Sequence, residues 1–214
     1  MIFGIDDRLV SLLIGYFIGC LQSAFLVGKL IYKIDIRDYG SGNAGTTNVT
    51  RTLGKKAGLF VFIFDVLKGV LAFYICYNLF YTPEQNNSYS LIPATYAGFG
   101  TILGHDFPFF LKFKGGKGVA TTLGIFLCVD YKIALLTFIC GFIILLIKNY
   151  ISLASLSMAL LFPILLAING FYLEIVVILL INAGLLYYLH RGNIERLIKG
   201  EERTFFKKHK NQNN

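Results

Sequence analysis

Apolar residues run along this chain in long blocks, and polar residues collect between them. A helix needs about 20 apolar residues to cross a bilayer core of ~30 Å. Residues 9–32 form the first such block, with Lys29 near its end and able to reach the interface. Residues 57–81 form the second, interrupted by Asp65 and Lys68. Shorter blocks follow at 88–104 and 119–129, and the fifth to seventh lie at 133–147, 150–168 and 171–189. The block at 119–129 reaches about 17 Å as a helix at ~1.5 Å per residue, short of a full crossing. The pattern predicts an all-α polytopic membrane protein with seven transmembrane helices. Residues 1–214 are expected to form a single integral membrane domain with a polar tail at about 203–214.

Charge fixes the expected orientation. With seven crossings, Lys33, Arg37, Arg51, Lys55, Lys56, Lys112, Lys114, Lys117, Lys148 and the basic tail share one side. Arg8 and Lys132 stand on the other, beside Asp6, Asp7, Glu84 and Asp130. The positive-inside rule then puts the N-terminus outside and the C-terminus in the cytoplasm. Removing the short fourth crossing would move the basic tail outside, so the expectation keeps it. The acidic start, Ile5-Asp6-Asp7, does not read as a cleavable signal peptide.

Composition agrees with a bilayer environment. The chain is 56% hydrophobic and 15% charged, with a mean hydropathy of +0.65. Soluble domains carry about 25% charged residues. A net charge of +8 raises nucleic-acid binding, but the basic residues flank apolar blocks and form no continuous stripe. Cys20, Cys76, Cys128 and Cys140 lie inside apolar blocks without metal-ligand spacing, so no metal is expected. Gly15/Gly19 and Gly100/Gly104 are small-xxx-small pairs suited to close helix packing.

Three polar stretches carry candidate chemistry. The first, Gly40-Ser-Gly-Asn-Ala-Gly-Thr-Thr-Asn-Val-Thr-Arg51, sets three glycines among hydroxyl and amide side chains and ends in a planar guanidinium. Such a loop suits phosphate, although it is neither a Walker A loop nor a dinucleotide fingerprint. A flexible polar turn is its plainer reading. The second runs from Gly104-His-Asp-Phe-Pro to Gly115-Gly-Lys-Gly-Val119, with Lys112 and Lys114 between. Glycines entering a helix suit an anion at its N-terminus, and the lysines alone would suit anionic lipid. The third follows the last block, with His190, Asn193, Arg196 and Glu202. His190 alone could merely complement a helix dipole. Ser152 and Ser155 could join this group or bond their own helix backbone. Asp65 and Lys68, three apart on one face, read as an intramembrane ion pair. All three stretches fall on the expected cytoplasmic side, which points to a site for two phosphate groups beside helices able to bury an alkyl chain.

These stretches resemble, in order and over nearly the whole chain, the three motifs of the PlsY family. Its members are membrane glycerol-3-phosphate acyltransferases that use acyl phosphate as donor. The resemblance implies seven transmembrane helices, no metal and no cofactor. It implies Ser41, Arg51 and Lys117 at the donor phosphate, and Ser155, His190 and Asn193 around glycerol 3-phosphate or the reacting hydroxyl. Gly40, Gly42, Asn43, Thr47, Asn48, Lys112, Lys114, Gly115 and Gly116 complete the expected binding set. The expected partners are acyl phosphate, glycerol 3-phosphate and membrane lipid, with no nucleic acid and a monomeric chain. The expected product is lysophosphatidic acid, in the first acylation of phospholipid synthesis at the cytoplasmic face of a bacterial inner membrane. Intramembrane charges and glycine breaks also occur in transporters, so carriage of a phosphorylated solute is the alternative.

Overall fold

The computed structural model describes residues 6–81 and 86–206, with the side chains of 86–89 outside the description. Among the described residues every regular element is helical. Helix α1 (Asp7–Gly19) starts on Asp6, whose carboxylate accepts the Arg8 amide at 2.8 Å. The first apolar block does not continue as one rod. It breaks at Cys20–Gln22, restarts as α2 (Ser23–Leu26) and ends in a π-turn at Val27–Ile31. Helix α3 (Thr46–Leu53) lies within the first polar stretch, followed by the 25-residue α4 (Lys55–Leu79) and by α5 (Asn86–Asp106). The expected short block is the 11-residue α6 (Val119–Val129). Helices α7 (Tyr131–Lys148), α8 (Ile151–Ile168) and α9 (Leu173–Leu189) follow, then the short α10 (Arg191–Ile198).

Among the described residues, four stretches are long and apolar enough to cross a membrane: Asp7–Ile31, Lys55–Leu79, Tyr131–Lys148 and Ile151–Ile168. A fifth is reached when α9 and α10, bent by 62° at their junction, are counted together. Their outer faces carry large exposed hydrophobics, such as Leu59, Leu67, Phe142 and Ile147, which in water would be an aggregating surface. Helix α6 sits inside, with Ile125 and Phe126 in the largest apolar core and Phe126 stacked on Phe162 of α8 at 3.8 Å between ring centres.

The two glycine pairs face one another. A methyl group on Gly15 or Gly19 would run into the carbonyls of Ala97 or Thr101. One on Gly100 or Gly104 would meet those of Leu12 or Tyr16. Helices α1 and α5 therefore approach backbone to backbone, the contact small residues permit in a bilayer. Lys68 occupies the break in the first block. Its ammonium donates to the carbonyls of Gly19 (3.1 Å) and Leu21 (3.0 Å), which lost helical partners there. It also pairs with Asp65 at 3.1 Å, as the spacing predicted.

Candidate active site

At one end of the bundle the three polar stretches enclose a cavity of about 980 Å³. The first loop is shaped by its own side chains. Asn48 accepts the Ser41 amide at 2.8 Å and donates to the carbonyls of Ile36 (3.1 Å) and Tyr39 (2.9 Å). Gly40 takes φ +63° at the point where a side chain would collide with Asn48. The loop then delivers the N-terminus of α3 to the cavity. Its N-cap is Gly45, with no side chain to occupy the first amides, and Thr46 leaves a buried hydroxyl without a partner. Free amides at a helix start are a general anion site.

Arg51 projects into the same space and makes no hydrogen bond or ion pair among the described residues, so its planar fork is uncommitted. Partial desolvation at the cavity wall, and then the nearby charge of Arg203, lower its pKa from the usual value. Lys117 lines the same cavity, carried at the entry to α6 by Gly118 (φ +66°). Burial, then the charges of Arg196 and Arg191 among its neighbours, bring its pKa down to about 8.

A polar chain closes the far wall. Lys117 donates to the Asn193 side-chain oxygen. The Asn193 amide nitrogen donates to Glu202 at 2.6 Å, and Glu202 also accepts from Ser152 (3.0 Å) and Arg196 (2.8 Å). Burial would raise the Glu202 pKa, but these hydrogen bonds and the Arg196 charge outweigh it and hold the carboxyl low. His190 caps α9 with Nδ1 2.8 Å from the Leu186 carbonyl. A carbonyl only accepts, so Nδ1 carries the proton and Nε2 keeps its lone pair. Burial and Lys117 lower the His190 pKa to about 4, so the ring is neutral at pH 7.

Of the expected residues, Gly40, Ser41, Asn43, Thr47, Asn48, Arg51, Lys117, Ser155, His190 and Asn193 line the cavity. Gly42, Lys112, Lys114, Gly115 and Gly116 do not. Lys112 and Lys114 are exposed on the far side of their loop, which Arg37 holds through the carbonyls of Leu111 (3.2 Å) and Lys114 (3.4 Å). Gly115 and Gly116 instead bond the end of α5, their amides 3.0 Å from the carbonyls of Asp106 and His105. Ser155 bonds its own helix at the Ile151 carbonyl (2.8 Å), while Ser152 goes to Glu202. Glu202 and Arg203 were not in the expected set, although Glu202 stood in the third motif; Asp65 and His105 also reach the cavity floor. The wall continues as an apolar crevice between α6, α7, α8 and α9, lined by Leu123, Phe126, Phe138 and Met158. Among the described residues no three His, Cys, Asp or Glu stand together as a metal site.

An all-helical bundle with apolar outer faces and a cavity lined by cationic side chains beside an apolar crevice is that of an integral membrane protein with a site suited to an anion. Residues 9–200 match the family described as glycerol-3-phosphate acyltransferase, and the chain belongs to that family. A glycerol-3-phosphate acyltransferase of Thermoanaerobacter pseudethanolicus is 42% identical over 193 residues, 90% of this chain and 93% of its own. That of Aquifex aeolicus is 38% identical over 197 residues, covering 92% and 98%. The fold is similar to the crystal structure of PlsY (YgiH), an integral membrane glycerol 3-phosphate acyltransferase, in its glycerol 3-phosphate form. The TM-score is 0.84 at 36% identity, over 94% of this chain and 96% of that one. Its lysophosphatidic acid form gives 0.81.

Proposed function

We propose that this chain transfers a fatty acyl group from acyl phosphate to the C1 hydroxyl of glycerol 3-phosphate. The observation that carries this reading is the uncommitted Arg51 fork and Lys117 lining one cavity with the uncapped start of α3. That arrangement suits a phosphate already present on the donor, and the apolar residues of the adjoining crevice offer its alkyl chain a surface to lie against. Ser41, Asn43 and Thr47 complete the donor's phosphate cradle; Asn48 and Gly40 serve it by holding the loop.

Acyl phosphate is a mixed anhydride and needs no further activation, so the protein's work is to position two substrates and balance charge. The C1 oxygen attacks the acyl carbonyl carbon and forms the new ester bond. The bond from that carbon to the phosphate oxygen breaks, and phosphate leaves with the electron pair. Arg51, Lys117 and the α3 amides stabilise the charge that develops on it. His190 accepts the hydroxyl's hydrogen bond at Nε2 and orients it, with Asn193 and Ser155 beside it. At a pKa of about 4, His190 is a weak base. The more basic leaving phosphate takes the proton. The products are lysophosphatidic acid and inorganic phosphate.

The same reading gives seven crossings, an outside N-terminus and a cytoplasmic site at the inner membrane of a bacterium, supported by the basic residues around the cavity. Purified protein in detergent, given radiolabelled glycerol 3-phosphate, tests the donor. Product should form with acyl phosphate, and not with acyl-CoA or acyl carrier protein. Comparable turnover with acyl-CoA overturns the donor assignment.

A further inference from the structure

Beneath the cations of the cavity lies a buried polar cluster with no part in the reaction above. Helix α4 contributes Asp65 and Lys68, and α5 contributes His105, each under 5% exposed. Ser23 donates to Asp65 at 2.9 Å. Lys68 Nζ stands 2.7 Å from His105 Nδ1, and its other neighbours are two carbonyls and the Asp65 carboxylate. All of those are acceptors, so the ammonium form fits the site and has no lone pair to give. Its three N–H groups serve four acceptors, and Nδ1 is the nearest of them at 2.7 Å; Asp65 Oδ1, 3.6 Å from Nδ1, is too far to take a proton from it, so the arrangement is met with an ammonium N–H donating to a bare Nδ1. The His105 proton is then on Nε2. That atom has no hydrogen-bond partner among the described residues, and the ring lines the cavity. Its edge lies against Gly116, where a methyl group would overlap it, one residue before Lys117. The amide of Ala44, from the first loop, reaches the Gly115 carbonyl at 3.4 Å, so both phosphate-oriented loops meet here.

An N–H at the cavity wall without a protein partner is free to donate to a ligand oxygen. We propose that His105 is a substrate-binding residue: Lys68 fixes its tautomer, and its Nε2–H donates to a phosphate oxygen of bound substrate at the cavity floor. This rests on reading the cavity as a phosphate site. The alternative is that His105 only holds Lys68 and the end of α5.

Two substitutions separate these roles. His105→Gln puts an amide nitrogen near Nε2 and gives up the bond to Lys68. His105→Asn keeps an acceptor near Nδ1 and gives up the cavity donor. The proposal expects His105→Asn to raise one substrate's KM about 10–100-fold, at an unchanged thermal midpoint in detergent, while His105→Gln stays much nearer wild type. Whether the KM for acyl phosphate or for glycerol 3-phosphate rises identifies which phosphate is held. Wild-type kinetics in His105→Asn, or an equal loss in both variants, overturns it. Should neither variant fold, ¹⁵N-histidine spectra of the wild-type protein titrated with inorganic phosphate decide. A proton on Nε2 whose signal moves on saturation supports the proposal; a proton on Nδ1, or no response, overturns it. That titration is independent of the donor, so failure of the acyl phosphate reading would be seen separately.

Discussion

At Lys117, burial and neighbouring arginines bring the pKa to about 8, so the ammonium is present below that pH and lost above it. A neutral amine holds a phosphate poorly. The kcat/KM profile, which reports the free enzyme, should fall through an alkaline limb near pH 8. Bound phosphate favours the charged form, so the limb in kcat should lie higher. Lys117→Arg keeps its charge throughout this range and should remove the limb whatever its cost in rate. An unchanged limb in that variant would assign it to another group. Residue types were legible in the sequence at this scale, but their tasks were only partly so. Asn48 reads as a phosphate contact, yet its amide is spent on the loop backbone. Lys112 and Lys114 share a motif with Lys117 and are turned away from the cavity, because left-handed backbone at Lys112 and Phe113 reverses the chain there.

Glycine carries much of the element-scale argument. Gly104 and its three partners allow α1 and α5 to touch through their backbones, and an added methyl meets a carbonyl that cannot move without moving its helix. Gly104→Ala should cost about 1–3 kcal/mol by overpacking. Gly184, in α9 with open space around it, is the control: Gly184→Ala should be neutral or gain about 0.5–1 kcal/mol from helix propensity. Thermal unfolding in detergent compares them, and equal midpoints would remove the close-crossing account. The glycine pairs were visible at their four-residue spacing, although nothing in that spacing names the partner helix. The break at Cys20–Gln22 was not seen, because hydropathy averages across it. Its signals were Gln22 within an apolar block and Lys68 far away, a long-range match of a cation to freed carbonyls.

For the whole molecule, the order of apolar blocks and polar stretches was enough to bring the three motifs to one cavity. The contribution of residues 202–205 to the cavity wall was not legible. Phe205 and Phe206 bond Asn149 at 2.9 and 2.7 Å, which swings Glu202 and Arg203 into the wall, and no local pattern encodes that contact. Orientation follows from charge and can be measured in a variant lacking the four cysteines. Cysteine at the exposed Asn169 should react with an impermeant thiol reagent on intact cells, and cysteine at the exposed Lys55 only after the membrane is opened. The reverse result would turn the protein over.

In the proposed reaction the first loop and Lys117 grip the donor's phosphate, and Arg51 is the residue at which that role is tested with least ambiguity. Arg51→Lys keeps the charge and loses the two-pronged fork. The side chain has no partner among the described residues, so the fold should hold and the thermal midpoint should stay put. Losing a charged hydrogen bond that tightens in the transition state costs roughly 2–4 kcal/mol, about 10²–10³ in rate. Lys55→Ala, exposed and away from the cavity, reports general membrane electrostatics and should be nearly silent. The measurement is kcat/KM for acyl phosphate in both variants beside wild type. A loss of about 10²–10³ is expected in Arg51→Lys alone. Near-normal turnover there, or equal losses in both variants, would contradict it.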